Sequence, residues 1–170
     1  MKKILLITVL SCFIFTLQAQ KCKYDYEKTD PFTGKSGKGI VETLENSWKI
    51  ELNKTDQDFF IALHLRFAGI SNDIINVGDT LMIAIENGKP LILKSLTKVT
   101  PISDAVQVYD RAVIQSFYTP TYQATLEQIN QLAVSNITSI KIYFNDKWYS
   151  LDIETKKAKK IVKAANCMLK

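Results

Sequence analysis

The chain has 170 residues, of which 46% are hydrophobic and 23% charged, with a formal net charge of +5. That composition supplies one apolar core and excludes a disordered tail, a coiled-coil rod, a collagen-like fibre and a multi-pass membrane protein. The length fits one domain rather than two.

The N-terminus reads as a leader rather than as part of the fold. Met1-Lys2-Lys3 is positive, residues 4–17 (ILLITVLSCFIFTL) form an uncharged apolar run, and Gln18-Ala19-Gln20 is polar. The run is shorter than the roughly 20 residues of a spanning helix. A positive start, apolar middle and small-residue exit make a secretory signal peptide over residues 1–19. The expected cut follows Ala19, with Leu17 at the minus-three position, and leaves residues 20–170 as one domain with no membrane-spanning segment. A rival reading takes Val9-Leu10-Ser11-Cys12 as resembling a lipoprotein cleavage box, with Cys12 acylated. Against it, Phe13-Ile14-Phe15 continues the apolar run where a lipidated protein has a polar tether.

Removing residues 1–19 takes the basic count from 22 to 20 and leaves 17 acids. Six of the remaining lysines, Lys156, Lys157, Lys159, Lys160, Lys163 and Lys170, lie in residues 156–170, which contain no acid. The body is therefore slightly acidic and the tail strongly basic, and the overall charge does not point to a nucleic-acid partner. The mature chain keeps Cys22 and Cys167. An oxidising compartment would let them form one bridge closing nearly the whole chain; the alternative is two separate thiols. Neither has zinc-site spacing, and His64 is the single histidine, so no metal or other cofactor is expected.

Strand signals dominate the mature chain. Cys22, Tyr24 and Tyr26 alternate with charged residues, and Pro31-Phe32-Thr33-Gly34 reads as a turn. Trp48, Ile50 and Leu52 mark a half-buried strand, followed by an expected polar loop over 53–58. Phe59, Ile61, Leu63, Leu65 and Phe67 share one face of the longest strand. Its other face, with Phe60, Ala62, His64 and Arg66, is only half polar and implies a partial cover. Val77-Gly78-Asp79 leads into a strand at 80–86, Asn87-Gly88 signals a hairpin, and 91–96 returns. Residues 97–111 are ambiguous, and Ala112–Tyr118 is another strand. Thr125-Leu126-Glu127-Gln128 has capping-box form and opens a helix over 125–134. A hairpin over 139–153 turns at Asn145-Asp146. Thr155 is the expected cap of a helix over 155–169, whose apolar stripe is Ala158, Ile161, Val162, Ala165, Met168 and Leu169. The fold class is α+β, a mostly antiparallel sheet of seven to nine strands, sandwiched or partly curved, with two helices.

Each chemistry-bearing group has a plain structural reading. His64 lies beside Arg66 on one strand face, and a neighbouring cation disfavours the imidazolium a base must form. The close pairs Asp25/Glu27 and Asp56/Asp58 offer the two carboxyls a glycosidase needs, but the second sits among polar residues where water keeps both ionised. The segment Asn53–Asp58 lacks the glycine turn and terminal glutamate of a calcium loop. The tail lysines suit a helix whose stripe docks on the sheet; contact with anionic lipid or another polyanion is the sharper reading. On the same helical wheel Cys167 falls on the lysine side, which counts against the bridge. No Walker loop, Gly-x-Gly-x-x-Gly or Gly-x-Ser-x-Gly occurs, and no catalytic residue is expected.

Several segments together resemble small exported proteins of unknown function common in Bacteroidota. They are the leader ending Gln-Ala-Gln, Tyr-Asp-Tyr-Glu-Lys-Thr-Asp-Pro-Phe-Thr-Gly at 24–34, Val-Gly-Asp-Thr-Leu at 77–81, Glu-Asn-Gly-Lys at 86–89, and Tyr122 before Thr125-Leu-Glu-Gln. The resemblance implies a periplasmic or secreted location and assigns no functional residues. Asp79-Thr80-Leu81 also resembles the three-residue O-glycosylation signal of that group, with Thr80 as acceptor. The leading expectation is an exported non-enzymatic module that binds an unknown protein or glycan of the cell envelope. The alternatives are a small exported hydrolase using carboxylates and a carrier of an apolar ligand in a curved sheet.

Overall fold

The computed structural model describes residues 22–45, 48–145 and 147–170. The expected signal peptide and cleavage site, Cys12, and Asp146 of the expected 145–146 turn lie outside the described residues.

The chain folds as α+β, mostly antiparallel sheet. Eleven strands run in order: β1 (Tyr26–Thr29), β2 (Ser36–Thr43), β3 (Lys49–Thr55), β4 (Asp58–Ala68), β5 (Thr80–Ile85), β6 (Leu91–Lys94), β7 (Ile102–Val108), β8 (Arg111–Tyr118), β9 (Thr121–Ala124), β10 (Ile137–Phe144) and β11 (Lys147–Asp152). Helix α1 (Leu126–Val134) precedes β10, and helix α2 (Thr155–Met168) closes the chain.

The first sheet has the order β1-β2-β3-β4-β8-β7, and the second has the order β11-β10-β5-β6. Strand β4 organises the first sheet. One edge pairs with β3 along Asp58–His64. Its other edge pairs first with β9, over Phe59–Ala62, and then with β8, over Leu65–Ala68. Strands β8 and β9 are thus one interrupted strand, and Pro120 at the break still accepts the Leu63 amide at 3.0 Å. The two sheets meet where Ser95 bridges Tyr122 and the Leu96 amide reaches the Thr121 carbonyl at 2.9 Å. This junction curls the whole surface into a half-barrel.

Alternation decides which residues fill the concave side. Ile40, Ile50, Leu52, Ile61, Leu63 and Leu65 from one sheet, and Leu81, Ile83, Leu93, Ile140, Ile142 and Phe144 from the other, are buried in one core cluster. Helix α2 lies against them with Ala158, Ile161, Ala164, Ala165 and Met168 buried. Small residues along this stripe let the helix axis approach the sheet closely, while Ile161 and Met168 fill the remaining space. Helix α1 packs on α2, and the Asn166 side-chain amide donates to the Ala133 carbonyl at 2.6 Å. The capping box of α1 forms as the sequence indicates, with Gln128 N–H donating to Thr125 Oγ1 and Thr125 N–H to Gln128 Oε1.

Four expectations need correction, and one open stretch is resolved. Among the described residues the strands number eleven, not seven to nine, because β2, β7 and β9 carry weak alternation. Residues 53–58 are not a loop: β3 continues to Thr55, and Asp56 (φ 53°) begins a tight turn directly into β4. The ambiguous 97–111 stretch contains β7 and the turn at Tyr109 (φ 53°), which folds it onto β8. The cap of α2 is Glu154, not Thr155, and makes no side-chain capping bond.

Cys167 is the fourth correction. It is buried and bonded to Cys22, with Cα atoms 5.6 Å apart. The helix presents both Ala164 and Cys167 inward, so its buried face is wider than the predicted stripe, and Val162 and Leu169 are only partly covered. The N-terminal segment crosses the helix end to reach the thiol. Tyr24 Oη donates to the Cys167 carbonyl at 3.0 Å and secures the same crossing. The lysines otherwise face outward as expected, except Lys157, which pairs with Glu45 at 2.6 Å.

Two stability changes follow. Reducing the bridge, or replacing both cysteines by serine, is expected to lower the denaturation midpoint. The chain-entropy ceiling for a bond spanning 145 residues is about 5 kcal/mol. Ile161→Ala, at a site with no exposure, is expected to cost about 2–5 kcal/mol. Urea unfolding followed by circular dichroism, with and without reductant, measures both.

Candidate functional site

The convex face of the first sheet carries the polar cluster. Residues that alternate with the core positions point outward here: Lys49, Glu51 and Asn53 from β3, His64 and Arg66 from β4, Gln115 and Phe117 from β8. The registers set their neighbours. Lys49 lies opposite His64, Glu51 opposite Ala62, and Arg66 opposite Phe117. Of these, Lys49, Glu51, His64, Arg66 and Phe117, together with Tyr26, Val41 and Leu65, line a groove of about 450 Å³.

A glycine makes the cluster possible. Gly39 on β2 pairs with Tyr26 on the edge strand β1. A Cβ at position 39 would come within 2.5 Å of the tyrosine ring. With no side chain there, the ring lies flat across β2 and delivers its hydroxyl to β3, 3.0 Å from Glu51 Oε1 and 2.5 Å from Asn53 Oδ1. The phenol has a single proton, and the carboxylate is the stronger acceptor. Burial and the Glu51 hydrogen bond push the Tyr26 phenol up to about 12.

Glu51 also holds the histidine. Its Oε2 lies 2.7 Å from His64 Nε2, with the carboxylate side chain 14% exposed and the imidazole 39%. Both oxygens of Glu51 are therefore engaged, one on each side. The arrangement fixes the imidazole orientation and leaves its Nδ1 edge as the other polar atom. Further along the groove, Arg66 donates through Nε to Gln115 Oε1, and its guanidinium carbon lies 6.0 Å from the Phe117 ring centroid. The predicted cover over the second face of β4 is this layer of side chains, and Ala62 beneath it is buried.

The other candidates fall elsewhere. Asp25 is committed to structure, its Oδ2 accepting the Val41 amide at 2.7 Å. Asp56 accepts the Ser36 amide at 3.2 Å in its turn. One acid of each predicted pair, Glu27 and Asp56, lines a hollow of about 190 Å³ with Lys38 and Lys54; Asp58 is exposed. Among the described residues no group of three or more His, Cys, Asp or Glu side chains could hold a metal ion. Thr80 is half-buried at the start of β5, and its Oγ1 accepts from Lys94 Nζ at 2.6 Å. Asp79 beside it uses Oδ2 to hold the Asn76 amide at 2.7 Å.

A second cleft, of about 430 Å³, opens at the end of the half-barrel beside residues 67–73. Asp73 binds Tyr149 Oη at 3.0 Å and Lys147 Nζ at 3.2 Å. Tyr118 Oη donates to Ser71 Oγ at 2.7 Å, and Ser116 Oγ links Gly69 to Ser71. These bonds pin the loop across the gap between the sheets, above edge-to-face rings of Phe67, Tyr118, Phe144 and Tyr149. Burial raises the phenols of Tyr118 and Tyr149 as well.

Sequence reasoning singled out His64 but missed Glu51 and Tyr26. The available signal was the polar face of β3 (Lys49, Glu51, Asn53) opposite a strand carrying the only histidine. Comparison with family models, curated proteins and solved structures finds no match to this chain.

The Tyr26 geometry has a pH consequence. Its folded value of about 12 exceeds the unfolded value of about 10, so the folded state holds the proton more tightly. The resulting stabilisation is complete below pH 10 and is lost as pH rises through 12. Tyr26→Phe is expected to lessen the pH dependence of stability between those values and to remove one late step from the phenolate absorbance titration. Gly39→Ala, by displacing the ring, is expected to bring that step back toward pH 10 with the fold retained.

Proposed function

We propose that this chain is an exported, non-enzymatic binding module, and that the groove over Glu51 and His64 holds a protein or glycan of the cell envelope. The observation that carries the reading is the groove itself. It is a concave site of ligand-binding size, lined by an aromatic ring, aliphatic side chains and a few orientated polar groups on rigid strands.

Glu51 does not offer itself as a general base, because both of its oxygens serve Tyr26 and His64. The carboxylates considered for a hydrolase are likewise drawn to backbone amides at Asp25 and Asp56. Carriage of an apolar ligand needs an interior cavity, and α2 fills the concave side of the sheet with Ile161, Ala165 and Met168.

Export rests on the leader at residues 1–19 and on the Cys22–Cys167 bridge, a bond that persists in oxidising compartments. Among the described residues no helix is long and apolar enough to cross a membrane. The resemblance to small exported Bacteroidota proteins supports the same placement, in the periplasm or outside the cell. Thr80 as a glycan acceptor belongs to this reading too; its side chain sits at the sheet rim, where Lys94 Nζ must release it before attachment.

A photo-crosslinker placed at Val41, on the groove, is expected to capture an envelope component that the same group at Asn130, on α1, does not. The recovered protein is expected to begin at Gln20. Equal capture from both positions, or protein retaining Met1 in the cytoplasm, overturns the proposal.

A further inference from the structure

We infer that the groove recognises an acidic saccharide, with Arg66 receiving the carboxylate of the sugar. This deepens the binding reading above and rests on it.

The argument begins with charge. The groove lining contains two permanent cations, Lys49 and Arg66, and one acid, Glu51. Glu51 is occupied by His64 and Tyr26. Among the described residues neither Lys49 nor Arg66 forms an ion pair. The groove therefore carries a positive charge even with His64 neutral, inside a body whose residues 20–155 are slightly acidic. A ligand that enters it gains by supplying the missing anion.

The geometry of Arg66 selects the kind of anion. Gln115 takes its Nε–H, and Phe117 lies against its guanidinium. These two contacts hold the head group in place and leave the Nη edge, which presents two parallel N–H bonds. That edge matches the planar pair of oxygens in a carboxylate, and pre-organisation lowers the entropy lost on binding. Beside it, His64 and the Tyr26 hydroxyl exchange hydrogen bonds with sugar hydroxyls, while Val41 and Phe117 offer apolar surface to the C–H face of a pyranose ring. A volume of about 450 Å³ lies within the range of small-ligand sites and accommodates one or two sugar residues.

The test is a titration of the full, disulfide-bonded exported protein, followed by backbone amide shifts. Three probes are used: digalacturonate, the matched neutral galactobiose, and inorganic phosphate. The expected result is saturable shifts at Lys49, His64, Arg66 and Phe117 with digalacturonate, at least about 10-fold tighter than with galactobiose or phosphate. Arg66→Lys keeps the charge but loses the fork, and is expected to weaken digalacturonate binding about 10-fold. Lys49→Ala, at an exposed position, is expected to weaken it without affecting the fold. Equal binding of galactobiose at the groove overturns the carboxylate assignment and leaves the groove reading intact. Equal binding of phosphate shows that the groove responds to charge alone and overturns the saccharide assignment. Shifts confined to another surface overturn both readings, and no shifts with any probe overturn the inference.

Discussion

The structure depends on one burial event: the apolar face of α2 seated in the concave side of a curled antiparallel sheet. A sheet that twists and curls exposes an inner face too large for its own side chains to cover. Ile161, Ala164, Ala165 and Met168 cover it, and they touch residues from both sheets. Small side chains on the helix suit the fit, because each lets the backbone lie closer to β2, β3 and β10 than a leucine would. The helix follows in sequence the strands it covers, so the core is completed only when α2 docks. The Cys22–Cys167 bond then ties the segment before β1 to the end of that helix.

With the inner face sealed, the outer face of β3 and β4 is available for polar chemistry. The strands are rigid because their inward residues are packed, and so the outward side chains of Lys49, Glu51, His64 and Arg66 hold fixed spacings. Gly39 has the same standing as a catalytic-site glycine elsewhere: its missing Cβ gives the Tyr26 ring room to reach across β2. One glycine, one edge-strand tyrosine and one carboxylate thus set the orientation of the single histidine. The groove is a product of sheet geometry, lined by residues that alternate with the core.

How much of this was legible varies with the physical signal. The strands β3, β4, β10 and β11 were readable because their faces differ in polarity, and α1 because its capping box and helical spacing agree. Strand β7 was not, since Ile102–Val108 lies at a sheet edge with solvent on both sides and has little reason to alternate. Cys167 was misplaced because the predicted stripe leaned toward Val162 and Leu169, which are only partly covered, and left out Ala164, which is buried on the same side as Cys167. Glu51 looked like an ordinary outward strand residue, because nothing local reveals that Tyr26 and His64 sit on either side of it.

By itself, the sequence determined the α+β class, the amphipathic helix α2, the capping box of α1 and the hairpin at Asn87-Gly88. Each depends on neighbours in the chain, through periodicity, caps or turn preferences. Only the tertiary structure decided that Cys22 meets Cys167, that the sheet curls around α2, and that Tyr26, Glu51, His64 and Arg66 share one groove. Those facts arise from strand register and sheet curvature, which bring together residues far apart in sequence and leave no trace in the local pattern of any one of them.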